Sequence, residues 1–118
     1  MRKPVLIVED DASAREALAA FLEAEGYPVR EAANGQEALD RLQREAVGLI
    51  LLDLMMPVMD GWEFRAVQMR DPMLAAIPVM VITADASARS RANSLGVQGY
   101  MTKPIQFPQL LAFVDRYC

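Results

Sequence analysis

The sequence contains no histidine and a single cysteine, Cys118. Without histidine it lacks the commonest general base at neutral pH and the commonest metal ligand. Hydrolases built on a serine–histidine or cysteine–histidine pair are thereby excluded. One cysteine cannot close an intrachain disulfide, which suits a reducing compartment. Long apolar runs are missing too, and nothing approaches the roughly 20 residues that cross a bilayer. The N-terminus, MRKPVLIVEDD, sets two basic residues before an apolar stretch, but Val5–Val8 is four residues long and three acids follow it. A secretory signal needs an apolar region of roughly 7–15 residues and a small-residue cleavage site. A buried first strand in a cytoplasmic protein is the better reading. Basic excess is also absent. Twelve Lys and Arg against sixteen Asp and Glu leave a net charge of −4, which argues against a broad nucleic-acid or membrane surface.

With 118 residues, 53% of them hydrophobic, the chain is long enough for one proper core and too short for two. Residues 1–118 therefore read as one domain, with no linker, repeat or low-complexity segment. Apolar runs alternate with helical patterns. Val5–Val8 is β-branched and continuous, as a strand buried on both faces should be. Asp11 is placed to cap a helix with Ala14, Ala17, Leu18, Phe21 and Leu22 on one face, and Gly26 to stop it. Residues 28–33 form a more polar strand, expected at a sheet edge. Asn34 with Glu37, and Asp60 with Glu63, both match a cap followed by Glu at the third helical position. The first opens a helix with Leu39 and Leu42 inside, the second a helix to about Arg70. Between them lie a buried strand over 48–52, ending at Asp53, and a loop over 54–58. A third buried strand spans 78–83, a helix with a thin apolar face spans 85–95, and Gly96 closes it. A last strand covers 97–101. Pro108 suits a first helical turn, with Leu110, Leu111 and Val114 along the final helix. Met55, Met56, Met59 and Met69 read as packing.

Five alternations of buried strand and helix imply a parallel sheet with helices on both faces, an α/β doubly wound three-layer sandwich. Ligands of such sheets gather at the carboxyl ends of the strands. Those ends hold Glu9, Asp10 and Asp11, then Asp53, then Thr83 and Ala84, then Thr102, Lys103 and Pro104. Clustered carboxylates repel one another and raise each other's pKa, so a site that keeps several needs a cation. Oxygen ligands without His or Cys suit a hard ion, Mg²⁺ or Mn²⁺. Carboxylates, a hard cation, Lys103 and Thr83 together are the equipment of phosphoryl transfer, and a carboxylate can itself be the nucleophile. Singly, each residue has a plainer reading: Glu9, Asp10 and Asp11 as a solvated capping turn, Asp53 as a loop cap, Thr83 as an ordinary strand residue. Their joint placement at one rim favours the site.

The segments LIVEDDASARE, LLDLMMPVMDGWE, VMVITA and GYMTKPI, at these distances, resemble the receiver domain of bacterial two-component response regulators, of the single-domain chemotaxis kind. The resemblance runs from about Lys3 to the C-terminus. It implies a flavodoxin-like (βα)5 fold with strand order 2-1-3-4-5. It further implies that Asp53 is the phosphoacceptor, charged from a histidine kinase or a histidine phosphotransfer protein. Mg²⁺ would be held by Asp10, Asp53 and the backbone carbonyl of Met55, with Glu9 acting through a water and Asp11 of secondary rank. Thr83 would bond the phosphoryl group and Lys103 one of its oxygens. Lys103–Pro104 would be cis, and Tyr100 would turn inward as Thr83 shifts. The downstream partner would be a protein target or an output domain, with dimerisation on phosphorylation and no direct nucleic-acid contact. Arg89 and Arg91 read as solvated or as a basic, partner-facing surface. Transfer to itself and slow self-hydrolysis are the only chemistry expected, so the chain is not read as an enzyme. A haloacid-dehalogenase-type phosphatase would want DxD after the first strand, where this chain has Glu9-Asp10-Asp11. A pseudo-receiver would usually have lost an acid or the lysine, and an excised receiver of a larger regulator or hybrid kinase is the other alternative.

Overall fold

A computed structural model of the chain describes residues 3–54, 56, 58–85 and 93–118. Five strands, β1 (Val5–Val8), β2 (Val29–Ala32), β3 (Leu49–Asp53), β4 (Val79–Thr83) and β5 (Gly99–Thr102), form one sheet in the order β2-β1-β3-β4-β5, with every pair parallel. The more polar β2 takes an edge, as its composition requires. The three all-apolar runs become β1, β3 and β4 in the centre, buried along their whole length.

The pleat sorts their side chains into two layers. Leu6, Val8, Ile50, Leu52, Val79 and Val81 meet α2 (Gly35–Leu42), α3 (Gly61–Arg70) and the single turn α4 (Pro72–Ala75) through Ala38, Leu42, Phe64 and Leu74. Val5, Ile7, Leu49, Leu51, Met80 and Ile82 meet α1 (Ala12–Ala24) and α5 (Phe107–Tyr117) through Leu18, Leu22, Leu110 and Val114. Each such fully buried aliphatic contributes about 1.5–3 kcal/mol. The Tyr27 hydroxyl donates to Asp115, and Phe21 meets Phe107 at 4.7 Å between ring centroids, so α1 and α5 are joined beyond the sheet.

The caps form where the sequence places them. Asp11 accepts from the amides of Ser13 and Ala14, and Asn34 from that of Glu37. Asp60 and Glu63 close a reciprocal capping box. Gly26, at a φ of 91°, takes the left-handed turn that follows α1.

Several boundaries differ from expectation. On α1, Ala19 is buried and Ala17 exposed, because the helix turns Leu18, Ala19 and Leu22 together toward the sheet. Leu39 is only half-buried, since Ala38 and Leu42 carry the inner face of α2. Met69 is exposed rather than packed, while Met56 is buried and Met59 half-buried. The extra turn α4 follows from Asp71, which accepts from the amides of Met73 and Leu74, with Pro72 at its first position. Strand β5 starts two residues later than expected. Gly96 still turns at a φ of 67°, and Gln98 pairs with Val79 partly through its side-chain oxygen before the regular ladder begins. Most of the helix expected over 85–95, with Arg89 and Arg91, lies outside the described residues, as does Met55.

Val58, 80% exposed, has a φ of 67° in the loop after β3. A β-branched residue in this left-handed region is strained by roughly 1–2 kcal/mol. Val58→Asn relieves that strain and is expected to raise stability by about 1 kcal/mol, read as a rise in Tm of about 4 °C. An unchanged or lowered Tm would refute the strain.

Candidate functional site

The parallel sheet delivers the carboxyl ends of β1, β3, β4 and β5 to one rim, and with them the residues singled out in the sequence. Glu9 and Asp10 follow β1, Asp53 is the last residue of β3, Thr83 the last of β4, and Lys103 follows β5. Glu9, Asp53 and Thr83 are buried, while Asp10 is exposed. One carboxylate oxygen from each of Glu9, Asp10 and Asp53 lies within 4.8 Å of the others.

Lys103 spans two of these acids. Its Nζ stands 2.6 Å from Glu9 Oε1 and 3.5 Å from Asp53 Oδ2. Burial alone would lower the pKa of this ammonium, but the hydrogen bond to Glu9 and the charges of Asp53 and Glu9 outweigh it and hold the pKa above its ordinary value. Glu9 moves upward. Burial disfavours its charge, the contact with Asp53 adds to that, and Lys103 offsets only part. Glu9 Oε2 is buried with no hydrogen-bond partner. A buried carboxylate oxygen without a partner is expensive. Three converging carboxylates with one oxygen unsatisfied, and no sulfur or imidazole among them, are a donor set that fits a hard divalent cation.

The backbone around the rim is held by short bonds. Lys103 N donates to the Thr83 carbonyl at 2.8 Å, and Asp85 N to Thr83 Oγ1 at 3.1 Å. The Lys103–Pro104 peptide is cis, as the resemblance implied. Tyr100 is half-buried and packs on the layer that contains Phe64 and Val81. Asp11 stands apart from the acidic trio, its carboxylate occupied as the cap of α1. Ala84 is exposed. The carbonyl of Met55 lies outside the described residues.

Three supporting residues went unread in the sequence. Arg15 Nη1 donates to the Glu9 carbonyl at 2.9 Å while its Nε pairs with Glu31 at 3.1 Å, fixing the chain as it leaves β1. Its position in the first turn of α1, just after the acidic run, was the available signal. Gly61 lets the start of α3 lie against the end of β3, where a Cβ would meet Leu54 Cα at 2.7 Å and the Asp53 carbonyl at 2.8 Å. Arg65 is buried on the face of α3 shared with Gly61, Phe64 and Gln68, a helical spacing that marks it as inward.

A family model for the response regulator receiver domain matches residues 5–115. The chain belongs to this family. It is 34% identical to the polar-differentiation response regulator DivK of Brucella anthropi, over 99% of this chain and 97% of that one. It is 36% identical to the transcriptional regulatory protein CrdR of Helicobacter pylori, over 99% of this chain but 55% of that one. Several other regulators it matches are likewise about twice its length. Among solved structures, the receiver domain of a signal transduction histidine kinase from Syntrophus aciditrophicus superposes with a TM-score of 0.89 at 33% identity, covering 98% of this chain and 89% of that one. The response regulator TrrA of Thermotoga maritima, in complex with Mg²⁺-BeF, gives a TM-score of 0.88 at 29% identity, covering 98% and 99%. The flavodoxin-like fold with strand order 2-1-3-4-5 is thus the receiver fold. Receiver domains are signalling switches of two-component systems, and phosphorylation and Mg²⁺ are typical of them. No described helix is long and apolar enough to cross a membrane.

The raised pKa of Glu9 has a measurable sign. The folded protein holds this proton more tightly than the unfolded chain, so the metal-free fold loses stability as pH rises from about 4.5, the ordinary carboxyl value, through the higher folded value. In chelator, Glu9→Gln is expected to unfold at a higher temperature than wild type, with a difference that opens above pH 4.5 and then levels. A difference independent of pH would contradict the assignment.

Proposed function

We propose that residues 1–118 form one receiver domain acting as a phosphorylation-activated switch, with Asp53 as phosphoacceptor. The observation that carries this reading is the Lys103 ammonium set between Glu9 and Asp53, in a trio of carboxylates with an unsatisfied buried oxygen. The donor is a phosphohistidine on a histidine kinase or phosphotransfer protein, since this chain has no histidine of its own.

In the transfer, an Asp53 carboxylate oxygen attacks phosphorus. The new P–O bond forms as the P–N bond to imidazole breaks, and the imidazole leaves neutral after taking up a proton. Mg²⁺, or Mn²⁺, held by Asp10, Asp53 and the Met55 carbonyl, with Glu9 acting through a water, would supply charge neutralisation for the incoming group. Lys103 pairs with a phosphoryl oxygen from its place beside Asp53 Oδ2. Its bond to Glu9 is the one it gives up.

The acyl phosphate carries about −1.5 to −2 charge where the Asp53 carboxylate carried a single negative charge, and it adds three acceptor oxygens. Thr83 turns its hydroxyl toward one of them. Its oxygen now accepts from the Asp85 amide, so the backbone after β4 is drawn into the change. Tyr100 then repacks on the layer beside it. The remodelled face meets a downstream protein target or an output domain of the same regulator, and dimerisation through that face is part of the reading. The setting is cytoplasmic, direct nucleic-acid binding is not part of the role, and transfer to Asp53 with slow self-hydrolysis is its only chemistry. The relatives of about twice this length favour an output domain as one form of partner.

Incubation with acetyl phosphate, followed by intact mass, tests this. One phosphoryl adduct is expected on wild type with Mg²⁺, little in chelator and none on Asp53→Asn. An equal adduct on Asp53→Asn, or none on wild type from either acetyl phosphate or a phosphohistidine donor, would overturn the assignment.

A further inference from the structure

Two buried polar side chains on α3 have no part in the chemistry above. Arg65 donates from Nε to the Leu95 carbonyl at 3.0 Å, from Nη2 to the Gly96 carbonyl at 3.1 Å and from Nη1 to Gln68 Oε1 at 2.8 Å. Gln68 Nε2 donates to the carbonyls of Leu74 at 2.8 Å and Ile77 at 3.2 Å. Both residues are at most 3% exposed. Among the described residues no carboxylate pairs with Arg65. A buried guanidinium without a counter-ion is tolerated only where its hydrogen bonds are well made.

The four carbonyls have a common place in the fold. Leu74 lies in the turn α4 and Ile77 between it and β4, while Leu95 and Gly96 lie shortly before β5. Gln98 joins the two entrances, bonding Val79 through both its amide and its side-chain oxygen. One helix therefore grips the starts of the two strands whose far ends carry Thr83 and Lys103. Tyr100 lies on the same side of the sheet as α3, and Tyr100, Leu95, Val97 and Ile77 each pack against the core layer that contains Phe64. The chain that Arg65 holds at Leu95 and Gly96 leads directly into β5, which carries Tyr100.

We infer that Arg65 is a positioning residue for the switch: by holding the Leu95 and Gly96 carbonyls on α3, it fixes the resting seat of Tyr100 and sets the balance between the resting and phosphorylated arrangements. This rests on the Asp53–Thr83–Tyr100 reading above and deepens it. Buried polar networks specify one arrangement over its neighbours. Releasing this one lets Tyr100 reach its alternative position without the phosphoryl group.

Fluorine NMR on protein labelled with 3-fluorotyrosine reads this directly. The chain has three tyrosines, and Tyr100→Phe identifies the relevant signal. Wild type, Arg65→Met and Arg65→Lys are compared before and after adding Mg²⁺ with beryllofluoride. In unliganded Arg65→Met the Tyr100 signal is expected to move toward its beryllofluoride-bound position, about a tenfold change in the population ratio. Arg65→Lys, which keeps the charge but not the forked donors, goes part of the way and decides the matter if the Met variant does not fold. Beryllofluoride affinity should tighten by the same factor as the population ratio. A lowered Tm with the Tyr100 signal and the affinity at wild-type values would overturn the inference. A wild-type Tyr100 signal indifferent to beryllofluoride would instead refute the switch reading on which it rests.

Discussion

One ammonium group shared by two buried carboxylates is the interaction on which the site depends. Lys103 reaches both Glu9 and Asp53, and Asp10 stands close at the surface. At a separation of a few ångströms in a partly buried setting, each such charge contact is worth several times its value in water. One cation cannot neutralise three acids. The remaining tension is visible in the raised pKa of Glu9 and in its unsatisfied Oε2. The resting site is an incomplete charge balance, and a divalent cation followed by a phosphoryl group is the kind of ligand that would redistribute it.

The fold holds this tension in place. Glu9 and Asp53 are presented by β1 and β3, adjacent strands buried on both faces, so neither acid can withdraw without dislodging core side chains. Arg15 holds the Glu9 backbone, and Gly61 brings α3 against the end of β3. Lys103 follows the edge strand β5, which is less buried than β1 and β3. The buried Arg65–Gln68 network bears on that same strand from its other end.

Much of this was legible in the residues. Unbroken apolar runs at Val5–Val8, Leu49–Leu52 and Val79–Ile82 marked the central strands, because only a doubly covered parallel sheet asks for apolar side chains on both faces. Asn34 with Glu37 and Asp60 with Glu63 marked helix starts because the caps are local chemistry. The gathering of Glu9, Asp10, Asp53 and Lys103 followed once the strands were taken as parallel neighbours, though their order came from the family resemblance. Arg65, Gln68 and Gln98 stayed hidden because their partners are backbone carbonyls and amides far along the chain, which no local pattern records. The start of β5 was misplaced for the same reason, since the Gln98 side-chain oxygen there accepts the Val79 amide in place of a strand carbonyl.

Thermal unfolding of the metal-free protein as Mg²⁺ is added tests the incomplete charge balance most directly. A cation that binds the folded trio and not the unfolded chain raises stability with the logarithm of its concentration once above its dissociation constant. The account predicts a Tm that climbs steadily with Mg²⁺ in wild type and much less in Asp53→Asn, with monovalent salt at matched ionic strength giving no such rise. A wild-type Tm that ignores Mg²⁺, or one that Asp53→Asn follows equally, would contradict it.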